Sequence, residues 1–338
     1  MLIERNQVGK REALADLIAR VDAKAKPLLA RIPKGPDRNN MLFSWQMDDF
    51  ENDADLAVDD GEDADSFGNA SENRFLASSY QTKFRDTAMV SDLAENVSDV
   101  AGLPRGEEAE SIMKKLEKLG RSIEAAMCGD QDHQAGAAGV PYKPRGLGVW
   151  ITAAGDGAQA VLPVADRFRP PSASIDTTAM SSVTPTIINN LLQSSYQQTG
   201  KEGAFTGLFG PTLRRVISTF VEQTGGGTSA TVIRAYTTAF NQNQGTVGSV
   251  VDVFKGDFGT IDILPSLFNA SARFGGSDAA NLRRGYIFLD EWLEMTHKRK
   301  PRVKELEDRG GGPRFLVDSI WSFFPKNTRG FIKMAATT

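Results

Sequence analysis

A single cysteine, Cys128, stands in 338 residues, and only two histidines, His133 and His297, accompany it. One thiol cannot close an intramolecular disulfide, so nothing in the composition asks for an oxidising compartment. At the end of an apolar helical pattern, Cys128 reads as a small buried hydrophobe rather than a nucleophile. A zinc site needs several His or Cys ligands at close spacing, and neither histidine has such a neighbour. Strong charge of one sign is missing as well: 39 Lys and Arg against 43 Asp and Glu leave a formal charge of −4. No global field therefore draws the chain to nucleic acid or to an acidic membrane. Runs of about 18 apolar residues are absent, and the opening MLIERNQVGKRE is charged from Glu4, without the apolar core of a secretory signal. The expectation is a soluble chain, outside the membrane and not exported by a standard signal.

Patterns that carry catalysis are equally sparse. Gly146 and Gly148 invite a dinucleotide-binding reading, but Ile151 occupies the place of the third glycine. Gly225-Gly226-Gly227-Thr228-Ser229 has no Lys at the phosphate-loop position and reads as a flexible turn. Around Gly61 an EF-hand would need an acid or Asn where Val58 stands. The carboxylates of 48–65 are too solvated for burial to separate their pKa values into an acid and a base. No cofactor, no metal and no catalytic residue is expected, and a soluble enzyme of small oligomeric state remains only as the alternative of another class.

What the sequence does contain is a helix. From Glu107 to Gly129, Ile112, Leu116, Leu119, Ile123 and Ala126/Met127 recur at spacings of three and four, one apolar stripe on a charged rod. Glu107, Glu108 and Glu110 suit the positive end of its dipole, and Gly129 is read as a left-handed C′ residue. About 22 residues make a rod of roughly 33 Å that needs a sheet or a helix to lie on. With 40% hydrophobic residues, the chain is long enough for two domains or one elaborated domain with a real core.

Residues 9–30 show a second amphipathic pattern through Leu14, Leu17, Ile18 and Val21, with Pro27 ending it or opening a new turn. It is an arm that docks on a partner or a terminal helix packed on its own domain. Pro33 to Asp37 reads as a turn. From Asp48 to Glu72 the chain carries eleven acidic residues and no Lys or Arg, so this stretch is solvated or meets a basic surface. Phe43 and Trp45 before it and Phe75 and Tyr80 after it are strand-like, the layout of a projecting hairpin.

Residues 80–103 lead from a strand into a turn at Gly102. Gly146 to Ile151 reads as a short buried strand. Thr184-Pro185 caps a helix that closes at Gly200, Phe205 to Phe209 is a strand, and Gly210-Pro211 opens a further helix. Residues 230–264 read as β-rich, with a turn at Lys255 to Gly259. Tyr286 to Leu289 and Arg314 to Phe324 are strands, and a final strand runs through Phe331 and Met334. The basic run His297 to Lys304, without interleaved aromatics, reads as a solvated loop rather than a nucleic-acid contact.

The order of these parts resembles the major capsid protein of tailed bacteriophages, whose HK97-like (Hong Kong 97-type) α+β fold is shared by encapsulin shells. Local phrases carry the likeness. Pro27-Leu28-Leu29 leads through Gly35 to Phe43 and Trp45, and Gln81 and Val90-Ser91 mark the returning strand. Glu124 to Gly129 closes the rod before Arg145-Gly146-Leu147-Gly148. Val251 to Phe254 precedes Asp257-Phe258-Gly259, and Trp321 to Gly330 forms the closing turn.

The resemblance implies an N-terminal arm at 1–40, an E-loop hairpin at 41–80, and a P-domain at 81–151 with a spine helix at 107–128. It further implies an A-domain at 152–245 and a β-rich return at 246–338 shared between P- and A-domains. Many copies, as hexamers and pentamers, would form an icosahedral shell around packaged double-stranded DNA without sequence-specific binding. Portal, scaffolding and decoration proteins are the implied partners, with assembly in the host cytoplasm; an encapsulin-type compartment is the alternative. Some relatives crosslink through an E-loop lysine, but residues 41–80 contain no Lys, so a non-covalent shell is expected. Candidate intersubunit contacts are Trp45, the acidic Asp59, Asp60 and Asp63, and the basic Lys298, Arg299 and Lys300.

Overall fold

The computed structural model describes residues 26–49, 57, 73–96, 106–155, 164–220 and 252–337. In chain order these form α1 (Pro27–Arg31), the strands β1 (Leu42–Met47), β2 (Phe75–Tyr80) and β3 (Thr82–Met89), then α2 (Asp92–Asn96) and α3 (Gly106–Met127). There follow α4 (Leu147–Trp150), β4 (Ile175–Asp176), α5 (Pro185–Thr199), β5 (Gly203–Phe209), α6 (Pro211–Thr219), β6 (Val253–Gly256) and β7 (Gly259–Pro265). The last elements are α7 (Asp278–Arg283), β8 (Arg284–Phe288), β9 (Leu293–Leu306), β10 (Arg314–Pro325) and β11 (Ile332–Ala335).

Three sheets result: the β1–β2 hairpin, a three-stranded sheet in the order β3-β10-β9, and a six-stranded sheet in the order β4-β11-β8-β5-β7-β6. In the large sheet β5 runs parallel to β7 and β11 parallel to β4, while the remaining pairs are antiparallel. The chain divides into two compact units. One takes Phe84–Gly120 and Pro301–Ser319; the other takes Ala25–Lys83, Arg121–Lys300 and Ile320–Thr338 and holds the large sheet.

In the smaller unit, Asp86 on β3 receives Lys115 Nζ at 3.1 Å and Lys118 Nζ at 2.7 Å, which fastens the strand to one face of α3. Burial pushes the Asp86 carboxyl up, but the two lysines outweigh it and hold it below its ordinary value. Where β9 turns into β10, the Asp308 carboxylate accepts from the amides of Gly310, Gly311 and Gly312. Gly310 and Gly312 sit there at φ of 80° and 105°, a conformation that glycine adopts without a Cβ clash.

Helix α3 changes character along its length. Ile112 and Leu116 are half-buried, whereas Leu119, Ile123, Ala125, Ala126 and Met127 are all buried. Cys128, just beyond, is buried too, and burial followed by the nearby Glu124 charge pushes its thiol up. Gly129 does not take the left-handed conformation expected of it. Its lack of a side chain is used for close approach instead, since a Cβ there would lie 2.7 Å from Phe274 Cβ and 2.8 Å from the Phe274 carbonyl.

The expected cap of α5 is present: Thr184 Oγ1 accepts from Ile187 N, Pro185 is the first helical residue, and Gly200 takes φ 62°. Helix α6 opens at Pro211 and buries Leu213 and Ile217. The β6–β7 turn, the β8 strand, β10 and β11 also stand where the sequence places them.

Besides Gly129, four further readings are corrected. Gly146 to Ile151 is not a strand: Trp150 N donates to the Gly146 carbonyl at 3.0 Å and Ile151 N to Leu147 at 2.9 Å, making one helical turn buried on all sides. A short apolar run with no polar face does not distinguish the two conformations. His297 to Lys304 is not a loop but the middle of edge strand β9. Pro33 to Asp37 is not a turn; it runs extended beside β9, with Gly35 N donating to Met295 O and Met295 N to Pro33 O. Between β3 and residue 96 the chain forms the short helix α2. The arm pattern before Lys26, the acidic stretch at 50–56 and 58–72 with its EF-hand reading, Gly102, the glycine run at 225–229 and the 230–251 part of the β-rich region lie outside the described residues.

Candidate functional site

The hairpin expected between the aromatic pairs is present: β1 and β2 pair antiparallel from Leu42↔Tyr80 to Met47↔Phe75. Alternation turns Phe43, Trp45 and Met47 to one face and leaves Leu42, Ser44 and Gln46 on the other. The inward face ends in an aromatic cluster. Trp45 stacks on Phe43 at 5.7 Å, lies 4.8 Å from Phe324 and 5.7 Å from Trp150, and the Arg38 guanidinium covers Phe43 and Phe324 at 5.2 and 5.3 Å. Rings at these separations attract beyond their buried area, and the cation adds to it. Trp45, a candidate intersubunit contact, is thus half-buried against its own chain.

Two ion pairs hold the hairpin where it leaves the body. Arg74 Nη2 meets Asp48 at 3.1 Å across the hairpin, and Arg329 Nη1 meets Asp49 at 2.6 Å while its Nε donates to Gln198 on α5 at 2.8 Å. Asp48 and Asp49 open the acidic stretch, so its first two charges are engaged by the chain's own arginines. Asp59, Asp60 and Asp63 lie outside the described residues.

Lys298, Arg299 and Lys300 come together on β9, with Lys298 and Lys300 exposed and Arg299 half-buried. Lys300 Nζ approaches Asp37 at 3.9 Å with both side chains largely in water, a contact of little energetic weight. His297 at the inner end of the run is buried, which pushes its pKa down; Asp37 opposes that shift and Lys34 and Lys300 add to it. At neutral pH the basic edge is therefore carried by the lysines and Arg299 rather than by this imidazole.

One functional arrangement escaped the sequence. Glu124, inside the buried end of α3, accepts the Leu28 amide at 2.8 Å and the Leu29 amide at 2.7 Å. Burial pushes its pKa up to about 7, against the lowering pull of those two amides and of Lys26. On the far side of α1, Arg31 donates to Thr206 Oγ1 and pairs with Asp262, both at 2.9 Å. Helix α1 is thereby stapled between the buried end of α3 and the large sheet. The available signal was that Glu124 is the one charge among Ile123 to Cys128, where apolar residues occupy all sides of the helix.

The connector after α3 holds a further polar knot. Arg145, buried beneath its contact with Trp150, donates through Nε to Asp132 at 2.6 Å and through Nη2 to His133. Burial pushes the Asp132 carboxyl up, and Arg145 and His133 bring it below its ordinary value. Tyr80 stacks on His133 at 5.7 Å. Among the described residues no group of three or more His, Cys, Asp or Glu is placed to hold a metal ion, and no helix is long and apolar enough to cross a membrane.

The geometry is one of a rooted hairpin, a stapled first helix and an exposed basic edge. The model of the SU10 major capsid protein family matches residues 3–311. A solved structure from Mycobacterium phage Bobi shares 10% identity at a TM-score of 0.59, with 100% of each chain covered. The capsid of a native GTA particle shares 8% at 0.62, covering 99% of this chain and 98% of that one. The Cyanophage Pam1 capsid shares 8% at 0.58, covering 99% and 97%. At these identities the likeness is one of fold, and it bears out the HK97-like architecture. Comparison with curated proteins finds no match. The family match supplies the role: this chain belongs to the SU10 major capsid protein family, a structural subunit of the phage head shell rather than an enzyme.

Proposed function

We propose that copies of this chain join as hexamers and pentamers of the shell through reciprocal charge, the acidic stretch of one subunit lying on the basic edge of the next. The observation that carries this reading is the firmly rooted β1–β2 hairpin, which carries eleven acidic and no basic residues between Asp48 and Glu72, set beside the exposed Lys298 and Lys300 on β9. With Asp48 and Asp49 already engaged, Asp59, Asp60 and Asp63 are the charges offered to a sibling's Lys298, Arg299 and Lys300. Trp45 supports the contact from behind by fixing the hairpin.

In this reading 1–40 is the arm, 41–80 the E-loop, 81–151 the P-domain, 152–245 the A-domain and 246–338 the return between them. The shell is non-covalent, since the hairpin segment has no Lys. Its slightly negative subunits enclose double-stranded DNA without sequence-specific grip. Portal, scaffolding and decoration proteins are its partners, and assembly takes place in the host cytoplasm. Asp59→Lys, Asp60→Lys and Asp63→Lys together should lower particle yield in sedimentation, and Lys298→Glu with Lys300→Glu should restore part of it. Unchanged yield and salt tolerance in the triple variant would overturn the contact.

A further inference from the structure

Two large apolar side chains stand in water at one end of the six-stranded sheet. Leu267 is 49% and Leu282 43% exposed, and the side-chain amide of Asn281, next to Leu282, donates to the Leu267 carbonyl at 2.7 Å. Hydrogen bonds fix the backbone around them. Ser266 N donates to Phe209 O, Gly210 N to Arg284 O, and Asn269 Nδ2 to the Leu208 and Arg284 carbonyls. The leucines are therefore pre-positioned, and little ordering entropy opposes a partner. Their segment is basic: Arg283 follows Leu282, and Arg273 is exposed between β7 and β8.

The other end of the sheet carries the opposite sign. There β5 starts at Gly203, paired with Gly259 at the start of β7, and the exposed Glu202 and Asp257 flank that pair. Glu291, just past β8, is brought to the same end by its 2.6 Å contact with Lys201. An apolar spot accompanies the acids, where the half-buried Phe258 stacks on Tyr196 at 5.3 Å. The seven residues of β5 hold the two ends about 23 Å apart.

We propose that these ends are the two halves of a head-to-tail contact between copies of this chain. Leu267 and Leu282 of one subunit seat against Phe258 of the next, and Arg273 and Arg283 meet Glu202, Asp257 and Glu291. Charge selects this occupant. Like end against like end would set arginine against arginine, whereas opposite ends pair each cation with a carboxylate. Such a contact is heterologous, and its repeats close into a ring when the rotation between copies permits. It rests on the subunit's shell role and is independent of the acidic stretch and of β9.

The test joins Leu282→Cys and Asp257→Cys in one full chain and adds a short bis-maleimide to assembled particles. The natural Cys128 is fully buried with its thiol held in the protonated form, so it stays silent. A ladder of linked chains is expected from the double variant and none from either single variant. Dimers from Leu282→Cys alone would show that like ends meet and overturn the proposal. Absence of a ladder, with both cysteines still labelling in dissociated subunits, would overturn it too. Independently, Leu267→Asp with Leu282→Asp should leave the thermal midpoint of the isolated subunit unchanged, because both side chains already stand half in water. Particle yield should fall about fivefold for each leucine, the effect of losing the burial of its remaining half; unchanged yield refutes the contact. A parent chain that never assembles would overturn the shell reading as well, whereas failure of the acidic contact alone leaves both readouts as stated.

Discussion

Glu124 accepts the backbone amide of Leu28 at 2.8 Å inside the core, and among the described residues no arginine or lysine side chain is its hydrogen-bond partner. A carboxylate satisfied by two amides is well bonded yet poorly solvated, and desolvation wins: its pKa is raised from 4.5 to about 7. The folded chain thus binds this proton more tightly than the unfolded chain. Its contribution to stability is fully present below pH 4.5 and is lost as pH rises toward 7, roughly 3 kcal/mol across that window. Denaturant titrations of the unassembled chain should show Glu124→Gln gaining on the parent by that amount between pH 4.5 and 7. Parallel pH profiles would contradict it.

Asp86 behaves with the opposite sign. Lys118 and Lys115 hold its carboxyl below the ordinary 3.8, so its contribution is present above that pH and disappears as acid protonates it. Because Lys118 is mostly exposed, water screens the pair, and Asp86→Asn should cost about 1 kcal/mol at pH 7. The same comparison near pH 2 should find no difference.

Gly146 leaves no room for a side chain, because a Cβ would stand 2.0 Å from the carbonyl oxygen of Gly129. The obstacle is backbone and cannot swing away. Gly146→Ala should therefore cost about 3 kcal/mol, read as a lower midpoint in urea, whereas Gly203→Ala, whose Cβ meets only Leu289 Cδ2 at 3.5 Å, should be far milder.

Trp45 is expected to matter before any shell forms. Truncating a half-buried ring in the cluster with Phe43, Trp150 and Phe324 should destabilise the unassembled chain by about 2 kcal/mol in Trp45→Ala. If thermal unfolding of the isolated subunit were unchanged while particles failed, the ring would act only between subunits.

Local signals that state their own boundaries were legible. Thr184, Pro185 and Gly200 mark both ends of α5, and the aromatic pairs around the acidic stretch mark β1 and β2, because caps and alternation act within a few residues. The open and closed halves of α3 could not be told apart from its periodicity, since the stripe records which face is apolar and not what covers it. Leu147 to Trp150 went wrong for a related reason: buried on every side, it has no polar face to reveal its period. His297 to Lys304 looked like a loop because solvation was inferred from charge, yet an edge strand is also solvated. Glu124 was hidden because its partners are backbone amides nearly a hundred residues earlier in the chain, and amides have no signature in the sequence.

The long strand β9 lies at the rim of its sheet, and beyond His297 it is set with Lys298, Lys300, Pro301, Arg302 and Lys304. A bare β rim ordinarily recruits further strands without limit, and proline and a row of like charges are what deter it. For a molecule whose task is to multiply contacts with its own kind, such a rim disfavours strand-by-strand growth of copies into fibres.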